Sequence, residues 1–253
     1  MRLFRRRREA AEAVSARIPE GQRVYAIGDV HGRMDLLERL LNQIEADSAG
    51  APRVQIVFLG DYIDRGTESR AVIDCLVGLG SGGADIELEV ACLRGNHEAM
   101  LLSALDESGD WESWLVNGGY ETLFSYGVEA RDLARTGRLD ELGVAARAAI
   151  PPAHLDFLRG LPASLIMGDY FFCHAGIRPG IPLDRQDIVD LLWIRDEFTS
   201  SSADHGKRVV HGHTPVMEPD IRPNRINIDT GAYLTNRLSC AVLERDAVRI
   251  LHT

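Results

Sequence analysis

The sequence predicts an α/β fold built on a largely parallel sheet covered by helices. Two patterns carry this: short β-branched or aromatic runs that end at glycine-rich or polar turns, and helically spaced apolar positions between the first three runs. The runs fall at 24–27, 54–59, 87–93, 171–173, 209–210 and 226–228. Between the first two, residues 34–47 set Leu36, Leu37, Leu40, Leu41 and Ile44 on one helical face. Residues 69–79 repeat the spacing with Val72, Ile73, Leu76 and Leu79. A β-α-β-α-β order implies right-handed crossovers, with ligands gathered beyond the carboxyl ends of the strands.

Residues 98–160 read as an inserted helical segment, with an apolar series at Met100, Leu101, Leu105, Trp111, Trp114 and Leu115. Pro151-Pro152 opens its last helix and Gly160 closes it. Residues 239–252 form two strands about a turn at Arg245-Asp246, which predicts a second, more antiparallel sheet. The expected organisation is a basic tail or short helix over 1–20, followed by a single domain over 21–253. Arg2, Arg5, Arg6, Arg7 and Arg8 make that tail basic; it reads as a solvated charge run, with contact to acidic lipid or a partner as the alternative.

A chain of 253 residues that is 45% hydrophobic can bury a sizeable core. A formal charge of −10 argues against general nucleic-acid binding, which needs clustered Lys and Arg to neutralise a phosphate backbone. No apolar run reaches 18 residues, and no apolar stretch follows the N-terminal arginines, so a cytoplasmic protein without a transmembrane segment is expected. Cys75, Cys92, Cys173 and Cys240 lack the paired spacing of a zinc site and read as buried free thiols.

Chemistry concentrates at the strand exits. Gly28-Asp29-Val30-His31-Gly32 follows the first run, and residues two apart in an extended segment point the same way, so Asp29 and His31 can meet one cation. Gly60-Asp61-Tyr62-Ile63-Asp64-Arg65-Gly66 follows the second, and Arg94-Gly95-Asn96-His97-Glu98 the third. His174 and the cluster His211-Gly212-His213-Thr214-Pro215 follow later runs. Singly each is commonplace; together they supply the carboxylate, imidazole and amide donors that suit a pair of divalent ions.

These motifs, with His174-Ala175-Gly176, Trp193-Ile194-Arg195 and Asn227-Ile228-Asp229-Thr230-Gly231, resemble the calcineurin-like metallophosphoesterases, in their bacterial phosphoprotein phosphatase branch. The resemblance spans residues 28–232 and implies a four-layer α/β/β/α sandwich. It also implies two divalent metal ions, manganese with iron or zinc as alternatives. Asp29, His31 and Asp61 would hold the first; Asp61, Asn96, His174 and His213 the second. Hydroxide generated between the two would attack phosphorus in line, with Arg65 and Arg195 neutralising the phosphoryl oxygens. His97 would protonate the leaving oxygen, oriented by Asp64. His211 matches no ligand position and reads as structural, with support of a metal ligand or a phosphate contact as the alternative. Arg94 and Glu98 read as an ordinary helix N-terminal pair, with support of the loop as the alternative. Asp229 is open between orienting a histidine and capping a strand end. Trp111, Trp114 and Tyr120 read as core rather than groove.

The implied activity is hydrolysis of phosphomonoesters on protein serine or threonine, extending to tyrosine, with a phosphorylated protein, peptide or small phosphoester as partner. A symmetrical diadenosine tetraphosphate hydrolase is the alternative. Asp64, the Glu98 that follows Asn96-His97, and the Gly212-His213-Thr214-Pro215 stretch depart from that class. A non-catalytic module of the same fold would have lost donors, and none of the implied positions is lost.

Overall fold

The computed structural model describes residues 16–253 apart from 52, 80–87 and 107–108. The N-terminal arginine run and the start of the third apolar run lie outside the described residues. The elements follow one another as β1 Gln22–Ile27, α1 Met34–Ser48, β2 Arg53–Phe58, α2 Ser69–Leu79, β3 Leu88–Cys92 and α3 Asn96–Leu105. The inserted segment comprises α4 Trp111–Trp114, a π-helical turn, α5 Tyr120–Ser125, α6 Ala130–Arg135, α7 Leu139–Ala149 and α8 Pro152–Gly160. Then come β4 Ser164–Met167, β5 Tyr170–Cys173, α9 Ile188–Trp193, α10 Asp196–Thr199, β6 Arg208–His211, β7 Asp220–Ile221, β8 Arg225–Asn227, α11 Ala232–Thr235, β9 Ser239–Glu244 and β10 Ala247–His252.

Two five-stranded sheets, ordered β10-β9-β1-β2-β3 and β4-β5-β6-β8-β7, face one another. The two-residue alternation of each strand builds the layers. In β1, Val24 and Ala26 join Val57, Phe172, Val210 and Ile226 between the sheets, while Tyr25 and Ile27 turn to the layer of α1, α2 and the inserted helices. The outer face of the second sheet packs Phe171, Cys173 and Val209 against Leu191 and Phe198 of α9 and α10. These are the four layers, α/β/β/α, that the motifs imply.

The C-terminal hairpin departs from expectation. It does not build the second sheet: β9 pairs antiparallel with β1, Val24 opposite Leu243, and β10 forms the edge beyond it. Ser239 to Leu243 are buried without a break, the mark of a strand covered on both faces, whereas β10 alternates exposed and half-buried residues. Hydrophobic pattern alone identifies an interior strand but not which sheet receives it. The second sheet is mixed, with β5-β6 and β6-β8 parallel and antiparallel pairs at both edges.

The parallel strands of both sheets deliver their carboxyl ends to one place. Asp29 follows β1, Asp61 follows β2, Asn96 opens α3 just after β3, His174 follows β5 and His213 follows β6.

Candidate active site

All ten residues singled out for catalysis or metal binding come together at these exits. His31 Nδ1 lies 2.8 Å from the Ile63 carbonyl and His174 Nδ1 lies 3.0 Å from that of Leu59. A carbonyl can only accept, so each Nδ1 carries a proton and each Nε2 is turned into the site. There His174 Nε2 meets Asn96 Oδ1 at 2.9 Å, His213 Nδ1 at 3.2 Å and Asp61 Oδ1 at 3.4 Å. His31 Nε2 stands 3.6 Å from Asp61 Oδ2. The two Asp61 oxygens therefore face two different sets of donors, the geometry a bridging carboxylate needs.

Acceptors crowded on acceptors call for positive charge. Burial works against charge on His174, yet the Asp61 and Asp29 carboxylates outweigh it and carry the imidazole up to about 9. One proton cannot serve Asn96, Asp61 and His213 at once. Burial pushes the Asp61 carboxyl up, but His174, His97 and His31 hold it well below the ordinary range. Burial and the neighbouring His97 keep His31 neutral, and burial and His174 push His213 down to about 2, leaving both with lone pairs for a ligand. Burial and the Asp229 charge drive Asp29 upward. The buried donor set thus fits divalent cations.

Two groups place their ligand atoms within 4.8 Å of one another: His31, Asp61 and His97, and Asp61, His174 and His213. Asp29 is not in the first group; its carboxylate accepts from the His213 backbone N–H at 3.2 and 3.3 Å and so lies against the second. His97 Nε2 is 3.8 Å from Asp61 Oδ2, while its Nδ1 is fixed on Asp64 Oδ2 at 2.7 Å. Burial opposes charge on His97, but Asp61 and Asp64 together raise its pKa. Arg65 Nη1 reaches His31 Nε2 at 3.0 Å, and Arg195 Nη1 donates to the His213 carbonyl at 3.0 Å.

The backbone bears the cost of this convergence. Among the described residues seven non-glycines have positive φ, and five are site residues: His31 (46°), Asp61 (54°), Asp64 (71°), Arg65 (69°) and His213 (64°). Each such conformation costs about 1–3 kcal/mol and persists where the surroundings over-determine it. At Gly95 a side chain would collide with the Asp61 carboxylate, so only glycine lets these two strand exits close together.

Several supports of this geometry are either a second choice in the sequence or not marked for it at all. Glu98 does cap α3, accepting from Gly95 N–H at 2.9 Å, but the same buried carboxylate also takes the backbone N–H groups of Asp61 at 2.9 Å and Tyr62 at 2.8 Å. It supports the loop, the reading ranked second; Arg94 instead reaches the carbonyl of Arg159. Burial and Asp61 raise Glu98 to about 7. Trp114 is core, fully buried, yet its Nε1 donates to Asp64 Oδ2 at 2.8 Å, and Thr122 Oγ1 donates to Oδ1 at 2.6 Å. Tyr233, just after Gly231, lies under the Arg65 guanidinium at 4.6 Å and edge-on to His31 at 5.3 Å. Asp229 accepts from Gly231 N–H at 2.9 Å, which favours the capping role. His211 is buried under Phe198, outside both donor groups.

The family model described as calcineurin-like phosphoesterase matches residues 22–248. The chain belongs to this family. It is 30% identical over 233 residues to a serine/threonine-protein phosphatase 1 of Salmonella typhimurium, covering 87% of this chain and 92% of that one. It is 26% identical over 239 residues to an asymmetrical bis(5'-nucleosyl)-tetraphosphatase of Oceanobacillus iheyensis, covering 86% and 87%. Among solved structures, a cold-active protein-tyrosine phosphatase of a psychrophilic Shewanella superposes with a TM-score of 0.62 at 15% identity, over 94% of this chain and 82% of that one. As a calcineurin-like phosphoesterase the chain is a metal-dependent hydrolase of phosphoesters. Among the described residues no helix is long and apolar enough to cross a membrane.

Proposed function

We propose that this calcineurin-like phosphoesterase is a phosphomonoesterase acting on phosphorylated serine and threonine in proteins, and also on phosphotyrosine. The observation that carries the reading is the Asp64–His97 pair, with its 2.7 Å bond inside a fully buried carboxylate cage. A serine or threonine leaving group is a strongly basic alkoxide, so cleavage gains most from a proton delivered at the leaving oxygen. A nucleoside polyphosphate leaves as a weakly basic phosphate and needs that proton far less.

His31 and Asp61 would hold one divalent cation and Asp61, Asn96, His174 and His213 the other, with Asp29, which lies against the His213 N–H, as a further carboxylate at the pair; such mixed oxygen and nitrogen donors suit manganese, iron or zinc. When bound, such a pair supplies Lewis-acid activation of water and neutralises charge on the phosphoryl group. Arg65 and Arg195 bind and orient the phosphoryl oxygens with planar paired donors. His97, whose pKa Asp61 and Asp64 raise against the effect of burial, gives its Nε2 proton to the departing oxygen. Asp64 keeps the imidazole in the orientation that directs Nε2 inward, and Glu98 keeps the Asp61 loop in place.

The dinucleoside polyphosphate reading is supported by the tetraphosphatase relative and forms the other arm of the test. One manganese-loaded preparation is assayed for kcat/KM on a phosphoserine peptide, a phosphotyrosine peptide and diadenosine tetraphosphate. The peptides are expected to be preferred; preference for the dinucleotide would overturn the assignment.

A further inference from the structure

His211 and Arg225 are buried polar residues for which neither donor group has a use. Arg225, on β8, is 3% exposed, and among the described residues its Nε and Nη1 have no hydrogen-bond partner; nor does Nε2 of the fully buried His211 on β6. Desolvating a guanidinium is costly, so its remaining bonds deserve a reason. Nη2 donates to Asp220 Oδ2 at 2.6 Å and to the Thr199 carbonyl at 3.0 Å. Thr199 ends α10, a helix of four residues whose N-cap is Arg195. Its carbonyl is one of those that a helix C-terminus leaves unbonded, and a cation there also complements the helix dipole.

The middle of the same helix is wedged. Phe198 is fully buried, its ring edge-on to His211 with centroids 5.0 Å apart. The ring also presses on Gly176, where any side chain would run into it. Gly176 has φ of 151° and belongs to the segment that carries His174. One short helix is thus pinned by Arg225 at its end and by His211 and Gly176 at its middle. Its first turn bonds directly to Arg195, whose carbonyl accepts from Phe198 N–H at 3.0 Å and Thr199 N–H at 2.9 Å.

We propose that Arg225 and Phe198 are positioning residues for Arg195: together they fix the axial position and rotation of α10, and so hold the Arg195 guanidinium beside His213 at the phosphoryl site. His211 takes part as the floor beneath Phe198. The inference rests on the reading of Arg195 as a phosphoryl-binding residue. It assigns α10, through Arg225 and Phe198, a part in substrate affinity exerted at its N-cap residue Arg195.

The test is a double-mutant cycle on the full manganese-loaded chain, with para-nitrophenyl phosphate as substrate and inorganic phosphate as competitive inhibitor. Arg225→Met keeps the apolar stem and removes the helix cap. It is expected to raise KM and the phosphate inhibition constant about five- to tenfold, with kcat changing less, and to add no further rise in an Arg195→Ala background. A rise of equal size in both backgrounds, or none while Arg195→Ala alone raises KM, overturns the proposal. Should Arg195→Ala itself leave KM unchanged, it is the phosphoryl-binding reading of Arg195 that fails. If Arg225→Met does not fold, Phe198→Leu goes through the same cycle with the same outcomes, since it keeps most of the buried volume.

Discussion

Trp114 donates its indole N–H to Asp64 Oδ2 at 2.8 Å, the same oxygen that receives His97 Nδ1. A core residue of the inserted helical segment thereby bonds to the carboxylate that holds the proposed acid. Trp114→Phe keeps nearly all of the apolar volume and removes one of three side-chain donors on the carboxylate. Turnover of alkyl phosphates is expected to fall about tenfold, with para-nitrophenyl phosphate affected less, because only basic leaving groups wait for the His97 proton. Equal losses on both substrates would mean that Trp114 acts by packing alone.

His97→Ala itself should slow alkyl phosphate turnover by about 10²–10⁴-fold while retaining metal. Asp61→Asn should lose metal, because Asp61 oxygens face both donor groups at 3.4 and 3.6 Å. Metal content measured on both purified variants separates the roles. Loss of metal from His97→Ala would move His97 from acid to ligand, a role its place within 4.8 Å of His31 and Asp61 also allows.

Removal of metal by a chelator should abolish hydrolysis of para-nitrophenyl phosphate, and manganese should restore it. The melting temperature should drop with chelation as well, since a ligand bound only by the folded state at about 100 times its Kd contributes about 2.7 kcal/mol. Hydrolysis that survives exhaustive chelation would refute the two-metal reading.

The donors were legible in the sequence and their supports were not, for a physical reason. Asp29, His31, Asp61, Asn96, His174 and His213 each stand beside a glycine or at a strand exit in short local motifs, so a linear reading finds them. Trp114 and Thr122 meet Asp64 across 50 and 58 residues, and nothing local distinguishes them from other core residues. Glu98 looks like any acidic residue in a first helical turn until the fold lays the Asp61 loop across it. The C-terminal hairpin was misplaced on similar grounds: its strands and turn are local, but its pairing with β1 spans most of the chain.

Glu98→Gln tests the loop support. The amide must turn an N–H₂ toward backbone N–H groups that the carboxylate now accepts from, leaving at least one buried donor unsatisfied. A stability loss of about 1–3 kcal/mol is expected. Manganese affinity should fall about 10–100-fold, as for other groups that orient ligands. Unchanged manganese affinity in calorimetric titration would confine Glu98 to capping α3.

Asp47 ties the end of α1 to the first sheet, and its ionisation makes that tie sensitive to acid. Its carboxylate accepts from Tyr25 Oη at 2.6 Å and pairs with Arg249, while its backbone carbonyl takes Arg23 Nη1 at 2.6 Å. Burial pushes the carboxyl up, but Arg249, Tyr25 and Arg23 outweigh it and hold its pKa below the ordinary value. A carboxyl depressed in the folded state stabilises fully above its unfolded pKa of about 3.9, and that contribution is lost as pH falls through the folded value. Asp47→Asn should therefore cost about 1–2 kcal/mol at neutral pH, read from urea unfolding. The gap from wild type should narrow as the pH drops below about 4, because protonation leaves the wild-type side chain neutral like the asparagine. A gap that stays constant to lower pH would mean that the bonds to Tyr25 and Arg249 stabilise without the charge.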